Sequence, residues 1–222
     1  MNVNINTKEY WNQRFSSNDW EEKQGRQQTE SFARGQIEHL KIPADFDGTI
    51  LDFGCGLGDA IPIYRQAFRK AKLIGMDISQ SAVDKCNESY GSMATFMQGD
   101  YKDTPAVDII ISSNVFEHLS NDREIAKYLL TRCKSLNIIV PYREHPLCSE
   151  HVNSYGKKYF SEIGDFDCEV FPCKGWTPFG LRALYYHIYF KNIFRFLLGK
   201  PVVRRNMQII YRFLAVSPGN HP

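Results

Sequence analysis

A chain of 222 residues carries enough material for one well-buried core and is short for two independent domains. Its 43% hydrophobic and 23% charged residues are ordinary for a soluble globular protein, and a net charge of +2 lacks the basic excess that nucleic-acid binding needs. The six cysteines (55, 86, 133, 148, 168 and 173) form no Cys-x-x-Cys pair, which argues against a zinc site or disulfide scaffold and fits free thiols in a reducing compartment.

The start, Met-Asn-Val-Asn-Ile-Asn, lacks the apolar core of a secretory signal, so a cytoplasmic protein is expected. Residues Tyr10 to Leu40 are polar with interspersed aromatics (Tyr10, Trp11, Phe15, Trp20, Phe32) and read as helices or a lid. From Thr49 short apolar runs alternate with amphipathic segments, the texture of βαβ units. Strands are expected at Thr49–Phe53, Lys72–Met76, Ala94–Met97, Val107–Ser112 and Leu136–Val140, and helices at Asp59–Lys70, Ser79–Tyr90 and Asn121–Lys134. Pro62 suits the first turn of its helix, where a missing N–H costs little. The β-branched runs Val107–Ile111 and Asn137–Val140 suit central parallel strands buried on both faces. Two further strands, Cys168–Cys173 and Met207–Val216, flank an aromatic helical insertion, Pro178 to Lys200. The expected fold is a single α/β domain, a doubly wound, mostly parallel seven-stranded sheet with helices on both faces. It divides into N-terminal lid helices (1–45), a cofactor-binding core (46–175), the insertion (176–205) and a final strand and tail (206–222).

Leu51-Asp52-Phe53-Gly54-Cys55-Gly56-Leu57-Gly58 closes a strand and opens a helix, where glycines permit a tight turn and close approach of a ligand to the backbone. A dinucleotide loop reads Gly-x-Gly-x-x-Gly with a helix N-terminus facing a pyrophosphate. Here the third glycine comes one residue early and Asp59 takes its place, so a diphosphate is disfavoured, while Asp52 suits a ligand bearing an ammonium and a sulfonium.

The segment resembles motif I of the class I (Rossmann-like) S-adenosylmethionine-dependent methyltransferases of the small-molecule and glycan type, and the pieces that follow keep that family's order. The resemblance spans roughly Tyr10 to Tyr159. It implies that Asp52, Gly54, Cys55, Gly56 and Gly58 hold S-adenosylmethionine, and that Asp77, in Gly-Met-Asp-Ile-Ser, accepts hydrogen bonds from both ribose hydroxyls. Asp100, in Gln-Gly-Asp-Tyr, would receive the adenine amino group, and Ile78 and Tyr101 would flank the adenine. Asn114, in Ser-Ser-Asn-Val-Phe-Glu-His, falls in the motif that passes beneath the methionine part. Trp20 belongs to the lid and its acceptor side, and Arg34 or Arg26 would pair with the methionine carboxylate. Taken singly, Asp77 also reads as a helix N-cap and Asp100 as a turn former.

Methyl transfer from a sulfonium is an in-line displacement, served by positioning and secondarily by proton removal. Histidines are the candidate bases. His118 follows the fourth strand, where ligands sit in open α/β sheets, and Glu117 is expected to point elsewhere. His145, His151, Arg143 and Tyr155 lie in the polar loop after the fifth strand, with His151 and Tyr155 spaced to share a helix face. Glu144, His145, Glu150 and His151 offer metal-ligand types, but the acidic ligand pattern of catechol-type methyltransferases is not matched, so no metal is expected. The prolines of nucleobase methyltransferases are missing from Ser113–Phe116, so a nucleic-acid substrate is not expected and the expected acceptor is a small molecule, sugar or glycan, methylated on a hydroxyl in preference to a nitrogen. Alternatives are a non-catalytic methyltransferase-like subunit and an NAD-type oxidoreductase.

Leu181–Leu198 holds Arg182, Lys191 and Arg195, which makes it a poor bilayer span. His187, Lys191 and Arg195 make a basic stripe opposite Tyr186, Tyr189, Phe190, Ile193, Phe194 and Leu197, with Lys200, Arg204 and Arg205 following. This pattern suits peripheral contact with the inner face of a membrane, packing on the sheet edge, or a homodimer, and periodicity does not separate the three.

Overall fold

In a computed structural model of the chain, the described residues are 6–17, 19–172, 180–200 and 207–214, with the side chains of the last helix described from Ile188 onward. The N-terminal segment forms α1 (Lys8–Ser16), α2 (Asp19–Glu22) and α3 (Gly25–Leu40). There follow β1 (Thr49–Phe53), α4 (Ile61–Ala67), β2 (Lys72–Asp77), α5 (Gln80–Tyr90), β3 (Thr95–Gln98), β4 (Ile109–Ser113), α6 (Asp122–Leu130) and β5 (Ser135–Pro141). The chain ends with β6 (Phe166–Pro172), α7 (Gly180–Leu197) and β7 (Met207–Leu214).

The seven strands lie in the order β3-β2-β1-β4-β5-β7-β6, with β7 antiparallel to both neighbours and the other pairs parallel. Alternate residues of the central strands feed opposite cores, as the period of two requires. Ile50, Ile109, Ile111, Ile139 and Ile210 join α3, α4 and α5 through Ala33, Ile61, Tyr64 and Val83. Leu51, Ile110, Ile138, Val140 and Ile209 face the other side, with Ile125, Ala126 and Leu129 of α6 and the aromatics Tyr155, Phe160, Tyr211 and Phe213. The strand order reverses between β1 and β4, which opens a crevice at their carboxyl ends.

The elements differ from expectation mainly at their ends. Helix α6 stops at Leu130 because Val107 donates to the Arg132 carbonyl while Lys134 and Ser135 both donate to that of Asp108. Those bonds bring Ser135 beside Ile109 in the sheet and leave no register for another helical turn. Pro62 does stand in the first turn of α4. His151 and Tyr155 do not share a helix face: residues 151–154 are irregular and Tyr155 bridges to Tyr142. Expectations for Cys173, the opening of the insertion at Pro178, the side chains of Arg182, Tyr186 and His187, and Arg204, Arg205 and Ala215–Val216 lie outside the described residues. Tyr189, Phe190, Phe194, Phe196 and Leu197 of α7 are exposed, so the sheet edge does not cover that face. Among the described residues no helix is long and apolar enough to cross a membrane.

Tyr155 is fully buried and shares its hydroxyl between the Phe116 carbonyl (2.7 Å) and the Asp122 carboxylate (2.8 Å). Tyr155→Phe leaves a buried acceptor without its donor and is expected to lower stability by about 1–3 kcal/mol in urea unfolding. An unchanged midpoint would remove this tether from the account.

Candidate functional site

A cavity of about 1450 Å³ occupies the crevice, with α1–α3 on one side and the loop after β5 on the other. Its floor begins at the glycine loop. Gly54 and Gly56 adopt φ of +76° and +53°, and the Gly54 and Cys55 N–H groups donate to the Met76 carbonyl. A Cβ on Gly54 would stand 2.5 Å from Val115 Cγ2, whereas one on Gly56 would meet nothing nearer than 3.5 Å. Asp77 locks the loop: its Oδ2 accepts from the Gly56 N–H and its Oδ1 from the Ser79 N–H, each at 2.9 Å. Those bonds leave further lone pairs free, since a carboxylate has roughly four. Burial raises the Asp77 pKa while the Ser79, Gly56 and Ile78 N–H groups pull it back down. Asp52, beside it, is pushed up to about 7 by burial and by the Asp77 charge. Cys55 is buried and its thiol is raised well above the ordinary value by its contact with Cys86 and by burial.

Asp52, Gly54, Cys55, Gly56, Asp77, Ile78, Asp100, Tyr101 and Asn114 all line the cavity. Asp100 also serves its own turn, accepting from the Lys102 N–H at 2.7 Å, and the Tyr101 hydroxyl donates to Glu124. Asn114 closes a polar ring with Ser113, Gln36 and Gln208 that ties β4 to α3 and β7. Trp20 lines the cavity with a buried indole N–H that has no partner.

Four expectations are corrected. Gly58 faces Cys86, Tyr90 and Phe96 behind the loop, so its φ of +76° serves the turn and not a ligand. Arg34 is exposed on α3, paired with Glu30 one turn earlier, and Arg26 pairs with Glu21 and Asp59, so neither lines the cavity. Tyr155, proposed to touch the acceptor, is buried and spent on the tether described above. Asp59, read as repelling a diphosphate, is buried away from the cavity and accepts from the Tyr90 hydroxyl at 2.9 Å.

The far end of the cavity holds His118, Arg143, His145 and His151. His118 Nδ1 stands 3.0 Å from the Glu150 carbonyl, which only accepts, so that nitrogen carries the proton and Nε2 is bare. His151 Nδ1 pairs with the Glu144 carboxylate. The two imidazole centroids lie 4.9 Å apart at 76°. Burial pushes His118 down to about 4 and Glu117 up to about 8. Glu117 does not point elsewhere: a short 3-10 turn at 116–118 places both it and His118 on the cavity. The sequence also missed how the N-terminus reaches this end: Tyr10 and Arg14 both donate to Glu150 Oε1 at 2.5 Å. Partners some 140 residues apart leave no local signal.

Residues 50–135 match the family model described as a methyltransferase domain. No curated protein sequence matches the chain. Among solved structures, the plantazolicin methyltransferase BpumL in complex with S-adenosylhomocysteine aligns over 94% of this chain and 95% of its own, at 18% identity and a TM-score of 0.57. A SAM-dependent methyltransferase from Aquifex aeolicus aligns over 85% and 93%, at 17% identity and TM-score 0.58. Coclaurine N-methyltransferase, bound to N-methylheliamine and S-adenosylhomocysteine, aligns over 84% and 72%, at 13% identity and TM-score 0.58. The described residues have the class I, Rossmann-like fold of these solved methyltransferases, and the match to the methyltransferase-domain model covers residues 50–135.

The glycine contacts separate two costs. Gly54→Ala combines left-handed strain with the Val115 clash and is expected to destabilise by more than the roughly 1–2 kcal/mol that strain alone carries at Gly56→Ala. Paired urea melts check the order, and equal losses would mean that Val115 moves aside freely.

Proposed function

We propose that the chain transfers the methyl group of S-adenosylmethionine to a hydroxyl of a small molecule or glycan. The observation that carries this reading is one cavity with carboxylates of three successive strand ends (Asp52, Asp77 and Asp100) at one end and an imidazole cluster at the other. The carboxylates suit the ammonium, the ribose diol and the adenine amino group of a cationic nucleoside, with Ile78 and Tyr101 flanking the base. Arg14, not Arg34, is placed for the methionine carboxylate. It lines the cavity, and its buried Nε–H has no protein partner, so it can meet the methionine carboxylate.

At about 1450 Å³ the cavity exceeds the roughly 300–1,000 Å³ usual for one small ligand, which leaves room for an acceptor beside the cofactor. The acceptor oxygen then lies against His118 and His151, with Arg143, His145 and Trp20 around it. The exposed aromatic face of α7 is the surface through which a membrane interface or a second copy would approach.

Calorimetry with S-adenosylmethionine, S-adenosylhomocysteine and NAD tests the assignment; NAD binding without binding of either sulfur nucleoside would reverse it. A chain that binds the cofactor but transfers its methyl group to neither hydroxyl nor amine acceptors would be the non-catalytic subunit instead. Asp77→Ala is expected to weaken S-adenosylhomocysteine by about 1.5–3 kcal/mol, the loss of a charged hydrogen-bonding group. Full affinity in that variant would refute the ribose role.

The cofactor's ammonium favours ionised Asp52, whose pKa in the free protein is about 7. Affinity should therefore strengthen as pH rises through 7 and weaken below it, and Asp52→Asn should flatten the profile. A pH-independent affinity in the unaltered chain would show that Asp52 does not meet that charge.

A further inference from the structure

We propose that Glu117, His118 and His151 bind one divalent first-row transition-metal ion at the acceptor end of the cavity, with its remaining positions open to an acceptor oxygen. Each residue offers one ligand atom, and the three atoms lie within 4.8 Å of one another. Ligands around such an ion, at bonds of about 2.0–2.2 Å, stand about 3.4 Å apart in tetrahedral geometry, so inward movements of about an ångström or less close the set. Two imidazoles and one carboxylate are a donor set that leaves coordination positions free.

A second observation is independent of this spacing. Glu117 is 1% exposed, lines the cavity, and its Oε2 has no hydrogen-bond partner. A buried carboxylate oxygen with no donor is costly, and native structures normally supply one. A cation between Glu117 and the two imidazoles satisfies it.

The shell behind the histidines fits as well. A metal-binding imidazole usually donates its other N–H to a carbonyl or carboxylate, which sets the tautomer and the ring's direction. His118 does this to the Glu150 carbonyl, and His151 pairs through Nδ1 with Glu144, so both rings keep Nε2 for an ion. The support is itself anchored. The Glu150 carbonyl also accepts from Asn6 Nδ2 at 2.8 Å, and the Glu117 carbonyl accepts from the Val152 N–H at 2.7 Å. Glu144, Cys148 and His151 form a competing group, but Cys148 is exposed and Glu144 would have to release the imidazole it orients. Two nitrogen ligands favour cobalt, zinc, nickel or iron over magnesium or calcium, which prefer all-oxygen shells.

Only the occupant of the open positions rests on the methyl-transfer reading; the ion site does not. The test is a titration of the chelator-stripped full chain with Co²⁺, without cofactor, followed by calorimetry and by the visible absorption of the bound ion. One Co²⁺ per chain is expected, displaced by Zn²⁺. Glu117→Gln and His118→Asn should each weaken it by at least about tenfold, Glu144→Gln by about 10–100-fold as a positioning residue, and Cys148→Ser not at all. Thermal melts check folding, and His151→Asn substitutes for any variant that does not fold. No saturable Co²⁺ binding, binding that survives loss of Glu117 or His118, or binding lost with Cys148 overturns the proposal. A chain that binds Co²⁺ but neither S-adenosylmethionine nor its product keeps the ion site and loses the methyl-transfer reading.

Discussion

The cavity depends on one carboxylate that must be buried and is therefore clasped by backbone. Asp77 ends β2 inside the protein, where an unpartnered charge would be expensive, and the Gly56 and Ser79 N–H groups offset that cost. The same two bonds fasten the glycine loop of β1 to the start of α5. Ser79 carries the clamp onward: its hydroxyl caps α5 at Ala82 and donates to Asn12 on α1. Two neighbouring side chains, Asp77 and Ser79, thus set the loop that would receive a nucleoside and hold the first helix that roofs it.

The other end is built by stitching between distant segments. The loop after β5 has little regular structure, so its backbone groups need partners elsewhere. Val152 donates to the Glu117 carbonyl, Asn153 to that of Leu119 and Tyr155 to that of Phe116, which fastens the loop along the turn after β4. Tyr10 and Arg14 then bind Glu150 from above. Three stretches of chain meet there, and the imidazoles of His118 and His151 are oriented by what this meeting supplies.

The sheet was legible because buried parallel strands write themselves as unbroken apolar runs. Ile109-Ile110-Ile111 and Ile138-Ile139-Val140 are buried on both faces, as their composition demands. The site was legible to the extent that it follows the strand ends. Asp52, Asp77, Asp100 and Asn114 line one cavity because parallel strands with matched register must end on one edge. Asp59 and Gly58 misled because both turn back toward Tyr90 behind the loop, and spacing alone does not say which side of a tight turn is the crevice.

The sequence alone determined the alternating β and α pattern, the place of the glycine loop and the acidic residues at successive strand ends, all carried by local periodicity and backbone chemistry. Tertiary structure decided which charges face the cavity. It turned Arg34 and Asp59 away from it, buried Tyr155 as a tether, and brought Glu117, His118 and His151 within reach of one another. Those outcomes come from contacts between residues tens of positions apart, whose geometry is set by packing and by the need of buried polar groups for partners, and no local pattern encodes either.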